Sequence, residues 1–131
     1  MSQVIERWHA LARNHTSEGL HDLLADEVVF HSPVVHSPQE GRAITHAYLS
    51  AAFHVLMNDT FTYVREIIGP NDAMLEFTLE LDGIHVNGVD IIHWNDEGKI
   101  SDFKVMVRPL KAIDVVRSQM AAMLESMAKA G

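Results

Sequence analysis

The spacing of apolar positions changes period midway along the chain. Val4, Ile5, Trp8, Leu11 and Ala12 recur at helical intervals and predict one apolar face of a first helix. A short second helix is expected from Ser17, as N-cap, through Leu20, Leu23 and Leu24 to Asp26. Glu27 to Ser32 reads as a strand, and Pro33 and Pro38 then bracket a loop holding two His-Ser-Pro triplets. From Gly41, the positions Ile44, Tyr48, Ala51 and Val55, flanked by Leu49, Ala52 and Leu56, predict a third helix that Asn58-Asp59 closes. Beyond that point β-branched and aromatic residues dominate four runs: Phe61 to Ile68, Ala73 to Leu81, Ile84 to Trp94 and Ile100 to Arg108. Gly-Pro-Asn-Asp, Asp-Gly and Asn-Asp-Glu-Gly separate them, so they should form an antiparallel meander on hairpin turns. Pro109 opens a last helix, about 110–129, with Ile113, Val116, Met120, Met123, Leu124 and Met127 inward.

Three helices followed by a meander make an α+β layout. No repeat, low-complexity tract or linker divides the 131 residues, and the expectation is one domain over residues 1–131. The run at 84–94 adds a constraint. Val86, Gly88, Asp90, Ile92 and Trp94 share one parity, and His85, Asn87, Val89, Ile91 and His93 share the other. Both parities are apolar around Val89 to Ile92, so both sheet faces need cover there. The helices can cover only one, and a second copy of the chain is the simplest cover for the other. A homodimer through Val89, Ile91, Lys104 and Met106 is therefore expected.

Composition narrows the function classes. The chain is 47% apolar and 21% charged, as a soluble globular protein would be. It has no cysteine, which excludes disulfides and thiol chemistry. Eighteen acidic against ten basic residues give a net charge of −8, with no basic stripe, so nucleic acid is not an expected partner. Nine histidines, more than the net negative charges, make the charge change steeply near pH 6. No apolar run approaches the ~20 residues of a membrane span, and the polar N-terminus lacks the apolar core of a secretory signal. A cytoplasmic location and no membrane partner are the expectations.

Leu23-Leu24-Ala25-Asp26-Glu27-Val28-Val29-Phe30-His31-Ser32-Pro33, Gly41, and Gly88-Val89-Asp90-Ile91-Ile92 closing on Glu97-Gly98-Lys99-Ile100 together resemble the NTF2-like superfamily, in its SnoaL-like branch. The resemblance runs over roughly residues 3–108, and its motifs are those of the architecture rather than of one activity. It implies a cone, a curved antiparallel sheet whose concave face and three N-terminal helices enclose an apolar pocket for a small apolar molecule. It also implies dimerisation through the outer sheet face in many members. The ketosteroid isomerases of this superfamily offer a comparison residue by residue. By ungapped counting their first-helix tyrosine falls on Trp8, their general-base aspartate on Ser32, and their protonated pocket aspartate on Asp90. A serine hydroxyl does not abstract a carbon-bound proton and an indole N–H only donates, so ketosteroid isomerisation is not expected here.

Asp90 is the leading candidate for chemistry. A carboxylate amid apolar neighbours must be paired, hydrogen-bonded or protonated. It is either a pocket acid or base with a raised pKa, or a structural carboxylate held by an Arg or His. His31 is the second catalytic candidate, although strict alternation puts Ser32 rather than His31 on the face of Phe30, and a loop-bracing role is the competing reading. Trp8, Phe30, Ser32, Val86, Gly88, Phe103, Val105 and Val107 are the candidate pocket residues, with Gly88 expected to leave space beside the carboxylate. Tyr63 and Arg65 share a strand parity and are candidates for a polar group, although an exposed Arg65-Glu66 pair is the plainer reading of that segment. The histidines, from His9 and His15 to His85 and His93, show no metal-binding spacing, and no metal or cofactor is expected. Two functions remain open: an acid–base enzyme of isomerase, cyclase, dehydratase or hydrolase type, and a non-catalytic ligand-binding or dimeric scaffold domain.

Overall fold

The computed structural model describes residues 3–14 and 16–130. His15 lies outside the described residues. Helix α1 (Gln3–Arg13) buries Val4, Ile5 and Trp8, the face that the helical spacing predicts. Helix α2 is a single turn, Leu20–Leu23, and the chain straightens at Leu24 into β1 (Leu24–His31). The stretch 24–26, expected to finish the helix, is thus strand. Leu24 and Ala25 are buried there, and Asp26 reaches Arg42 at 2.7 Å. A two-residue strand β2 (Gln39–Glu40) precedes α3 (Arg42–Leu56). The meander follows as β3 (Thr62–Ile68), β4 (Asp72–Leu81), β5 (Ile84–Trp94) and β6 (Ile100–Arg108), and α4 (Leu110–Ala130) ends the chain.

The six strands form one curved sheet in the order β2-β1-β6-β5-β4-β3. The meander is antiparallel throughout, but β1 runs parallel to β6, so the sheet is mixed. The reason lies in chain order: α3 returns the chain after β1, and four alternating strands bring β6 back beside β1 in the same direction. The tight β4–β5 connection has Asp82 and Gly83 at φ 52° and 76°, a pair of left-handed residues that matches the twist of a two-residue hairpin.

Alternation along β4, β5 and β6 from Phe103 onward divides the faces. Leu75, Phe77 and Leu79 on β4, Val86, Asp90 and Ile92 on β5, and Phe103 and Val105 on β6 point to the helix-covered face. Helix α4 packs on α3 and on β4, β5 and β6, burying Ala112, Val116 and Met120. No described helix is long and apolar enough to cross a membrane. The opposite, convex face carries no described helix and leaves Ile67, Met74 and Met106 exposed, at 62%, 43% and 51%.

Candidate functional site

Asp90 sits in the middle of β5 opposite Leu75 on one side and Val105 on the other. Its neighbours in the alternating pattern are core residues, so the strand carries its carboxyl into the interior, where it is 5% exposed. Among the described residues no cation pairs with it. Its partner is a phenol: the Tyr63 hydroxyl donates to Asp90 Oδ2 at 2.7 Å. Trp8 in turn donates its indole N–H to the Tyr63 oxygen at 2.9 Å. A chain of three side chains, from α1, β3 and β5, therefore ends on the buried carboxyl.

A β-bulge aims Tyr63 inward. Tyr63 pairs with Phe77, yet Arg65 pairs with Glu76, the preceding residue of β4, so Val64 is the extra residue. Without the bulge, Tyr63 and Arg65 would share a face. With it, Tyr63 faces the core, while Arg65 faces outward and holds Glu76 at 3.0 Å. Glu66 falls back to the helix side and meets His9 of α1 at 2.7 Å. The tilted contacts of Trp8 with Phe53 and Phe103, at ring-centre distances of 5.3 and 4.9 Å, fix the indole that backs the phenol.

Electrostatics follow from this burial. Loss of water raises the Asp90 pKa from the ordinary 3.8 to about 7, and the Tyr63 hydrogen bond, which favours the charged form, opposes part of that rise. Burial and the neighbouring carboxylate push the Tyr63 phenol well above its ordinary value, so it remains a proton donor across the physiological range. Near neutrality Asp90 is thus divided between acid and base forms, the condition under which a carboxyl can take up and return a proton.

A cavity of about 30 Å³ adjoins Asp90, walled by Trp8, Leu49, Ala52, Phe53, Leu56, Phe77, Phe103 and Val105, with Met57 and Phe61 at one side. That is room for a water molecule and not for a substrate. A second cavity of about 210 Å³ lies beyond, lined by His9, Ala12, Arg13, Met57, Asn58, Phe61 and Tyr63. Met57, Phe61 and the Tyr63 ring thus stand between open surface and buried acid.

The other sequence-predicted residues disperse. His31 points away from Asp90, to the convex side of β1, where it meets Asp102 at 2.9 Å; alternation from the buried Phe30 puts it there. Ser32 accepts a hydrogen bond from the Val34 backbone N–H at 3.2 Å and braces the loop. Phe30 packs against Tyr48 and Phe103 in the core, Val86 is fully buried, and the half-buried Val107 packs at the core edge. Gly88 does not open space beside the carboxyl, because the Phe77 ring lies across it; a Cβ at 88 would stand 2.4 Å from Phe77 Cζ. Trp8, Phe103, Val105 and Asp90 are brought together around the inner cavity. Among the described residues no cluster of three or more His, Asp or Glu could hold a metal.

A family model, the SnoaL-like domain, matches residues 5–103, and the chain belongs to that family. A steroid delta-isomerase from Pseudomonas aeruginosa shares 30% identity over 96% of this chain and 92% of that one, with a TM-score of 0.91. An uncharacterised protein with a cystatin-like fold from Silicibacter pomeroyi is also 30% identical, over 98% and 90% of the two chains, at TM-score 0.90. An NTF2-like protein of unknown function from Mesorhizobium loti, 20% identical over 82% and 89%, shows the same fold at 0.71. No curated protein matches the sequence.

Proposed function

We propose that this SnoaL-like chain is an acid–base enzyme of the isomerase or cyclase kind, with Asp90 as the group that moves a proton on a small, largely apolar molecule. The observation that carries the reading is a buried carboxyl with no cationic partner among the described residues, its pKa raised to about 7 by burial, beside a cavity. In its ionised form Asp90 takes a proton from a carbon next to a carbonyl. The electrons left behind move into the carbonyl as an enolate, and Asp90 then returns the proton to the same or a conjugated carbon. Tyr63 keeps its own proton throughout and holds Oδ2, leaving Oδ1 for the substrate. The 30% identity to a steroid delta-isomerase supports the reaction class. Ser32 falls where the ketosteroid isomerases carry their base, so this reading gives that role to Asp90.

Entry requires Met57 and Phe61, which line both cavities, to turn aside. The test is deuterium uptake at the α-carbon of 2-tetralone in heavy water. The wild-type protein should accelerate it over buffer and Asp90→Asn should not. Equal rates for the two proteins would end the catalytic reading. The tightness of the inner cavity favours the alternative, a non-catalytic domain, and that outcome would select it.

Pairing of two copies through the convex face belongs to the same proposal. Ile67, Met74 and Met106 are exposed there around a groove of about 480 Å³ that Val89 also lines, and half-buried Ile91 lies on the same face. A contiguous apolar patch on an uncovered sheet face is what a self-complementary interface requires.

A further inference from the structure

The outer of the two cavities differs from the inner one in its chemistry. The inner walls are apolar apart from Asp90, whereas the outer cavity brings His9 and Arg13 of α1 against Met57, Asn58 and Phe61. His9 is taken by Glu66 at 2.7 Å. The Asn58 side chain is taken as well, donating to the Glu80 carbonyl at 2.9 Å and accepting from the Thr60 backbone N–H. Arg13 is not taken: Arg42, Arg65 and Arg117 each face a carboxylate, whereas Arg13, like Arg7 and Arg108, forms no ion pair among the described residues, and of these three it is Arg13 that lines the outer cavity. An acidic chain thus leaves this guanidinium without an ion pair at the rim of a cavity that Tyr63 of the Asp90 site also lines.

We propose that this outer cavity is a polar subsite for the carboxylate of an amphipathic organic acid, with Arg13 as its counter-ion and Met57 and Phe61 as the apolar wall that leads inward. The inference rests on the pocket reading above and adds the substrate class: a small apolar body bearing one carboxylate. The geometry suits it, since an anion held at Arg13 stays at the solvent edge, away from the Asp90 carboxyl, while its apolar part points toward the cavity beside it. The planar guanidinium offers two parallel N–H donors to a carboxylate, a match that a neutral amide lacks. Arg13 also lies in the last turn of α1, where a cation suits the helix dipole. That role is served without any ligand and gives no preference between an acid and its amide.

The experiment is a calorimetric comparison of 3-phenylpropionate with its neutral isostere 3-phenylpropionamide on the full chain. Wild-type protein should bind the acid roughly tenfold more tightly than the amide. Arg13→Gln should lose that preference while binding the amide as before, and Arg13→Lys should keep part of it. Arg13 is exposed, so these variants should fold, and an unchanged thermal transition would verify it. Equal binding of acid and amide by the wild type, or an acid preference that survives in Arg13→Gln, overturns the subsite and leaves the apolar pocket standing. Binding of neither compound overturns the subsite and counts against the pocket as well.

Discussion

Replacing Asp90 by Asn removes a titrating proton while keeping an oxygen for Tyr63 to donate to, so it isolates what burial of this carboxyl does to stability. The pKa of the folded protein, about 7, lies above the ordinary 3.8. Between those values the native state holds a proton that the unfolded chain releases, and stability must therefore fall as pH rises through that window. A shift of about three units at 1.36 kcal/mol each makes the full deficit about 4 kcal/mol, reached above pH 7. About 3 kcal/mol of it falls between about pH 5 and about pH 8.5. Asn has no such dependence. Its amide introduces a donor that costs about 1–3 kcal/mol if left unpaired, but that penalty is the same at both pH values. Urea unfolding of both proteins at the two pH values should show Asp90→Asn gaining about 3 kcal/mol on the wild type as pH rises. In thermal scans this is on the order of 10 °C for a chain of this size. A loss of about 3–5 kcal/mol at both pH values would instead reveal a buried ion pair and refute the reasoning.

Tyr63→Phe deletes the hydrogen bond that holds the Asp90 pKa down, so the pH window in which stability declines should extend upward, with about 1–3 kcal/mol lost at alkaline pH; an unmoved window would separate the two residues. Gly88→Ala should destabilise by about 1–3 kcal/mol, since its Cβ meets the Phe77 ring and stands 2.9 Å from the Met106 carbonyl oxygen, and Phe77→Leu in the same chain should recover part of the loss. Full stability of Gly88→Ala alone would mean that the Phe77 ring moves freely. Met106→Lys puts a charge in the middle of the exposed convex patch and should leave a monomer in sedimentation velocity, where the wild type should sediment as a dimer. A monomeric wild type would remove the interface.

The meander, the third and fourth helices and the position of Asp90 were legible because each rests on periodicity over many residues. Alternation from Val86 to Trp94 is unbroken in β5, and the face of Asp90 follows from it directly. That Tyr63 and Arg65 face opposite ways was hidden for the opposite reason. The bulge at Val64 shifts register by one, and a one-residue shift reverses the face of every later side chain. The exposure of Val64, Arg65, Ile67 and Ile68 along β3 carries no period that would mark the bulge in advance. The parallel β1–β6 pair is a long-range contact set by the path of the chain rather than by either strand's own sequence. Gly88 reads as open space beside the carboxyl, and the Phe77 ring that fills that space comes from the neighbouring strand through the β4–β5 register, which residue 88 alone does not reveal. Leu24-Ala25 reads equally as helix or strand because two buried apolar residues have no period, and pairing of Leu24 with Ile100 decides it.

Proton transfer at this site turns on the ionisation of one carboxyl, and carbon-13 NMR of the Asp90 side chain, assigned by its loss in Asp90→Asn, reads that directly. A titration midpoint near 7, well above the ordinary 3.8, is the predicted result. A midpoint at or below about 4, the ordinary range for an aspartate, would show that Asp90 is charged throughout and would contradict both its buried, unpaired state and its role in moving a proton.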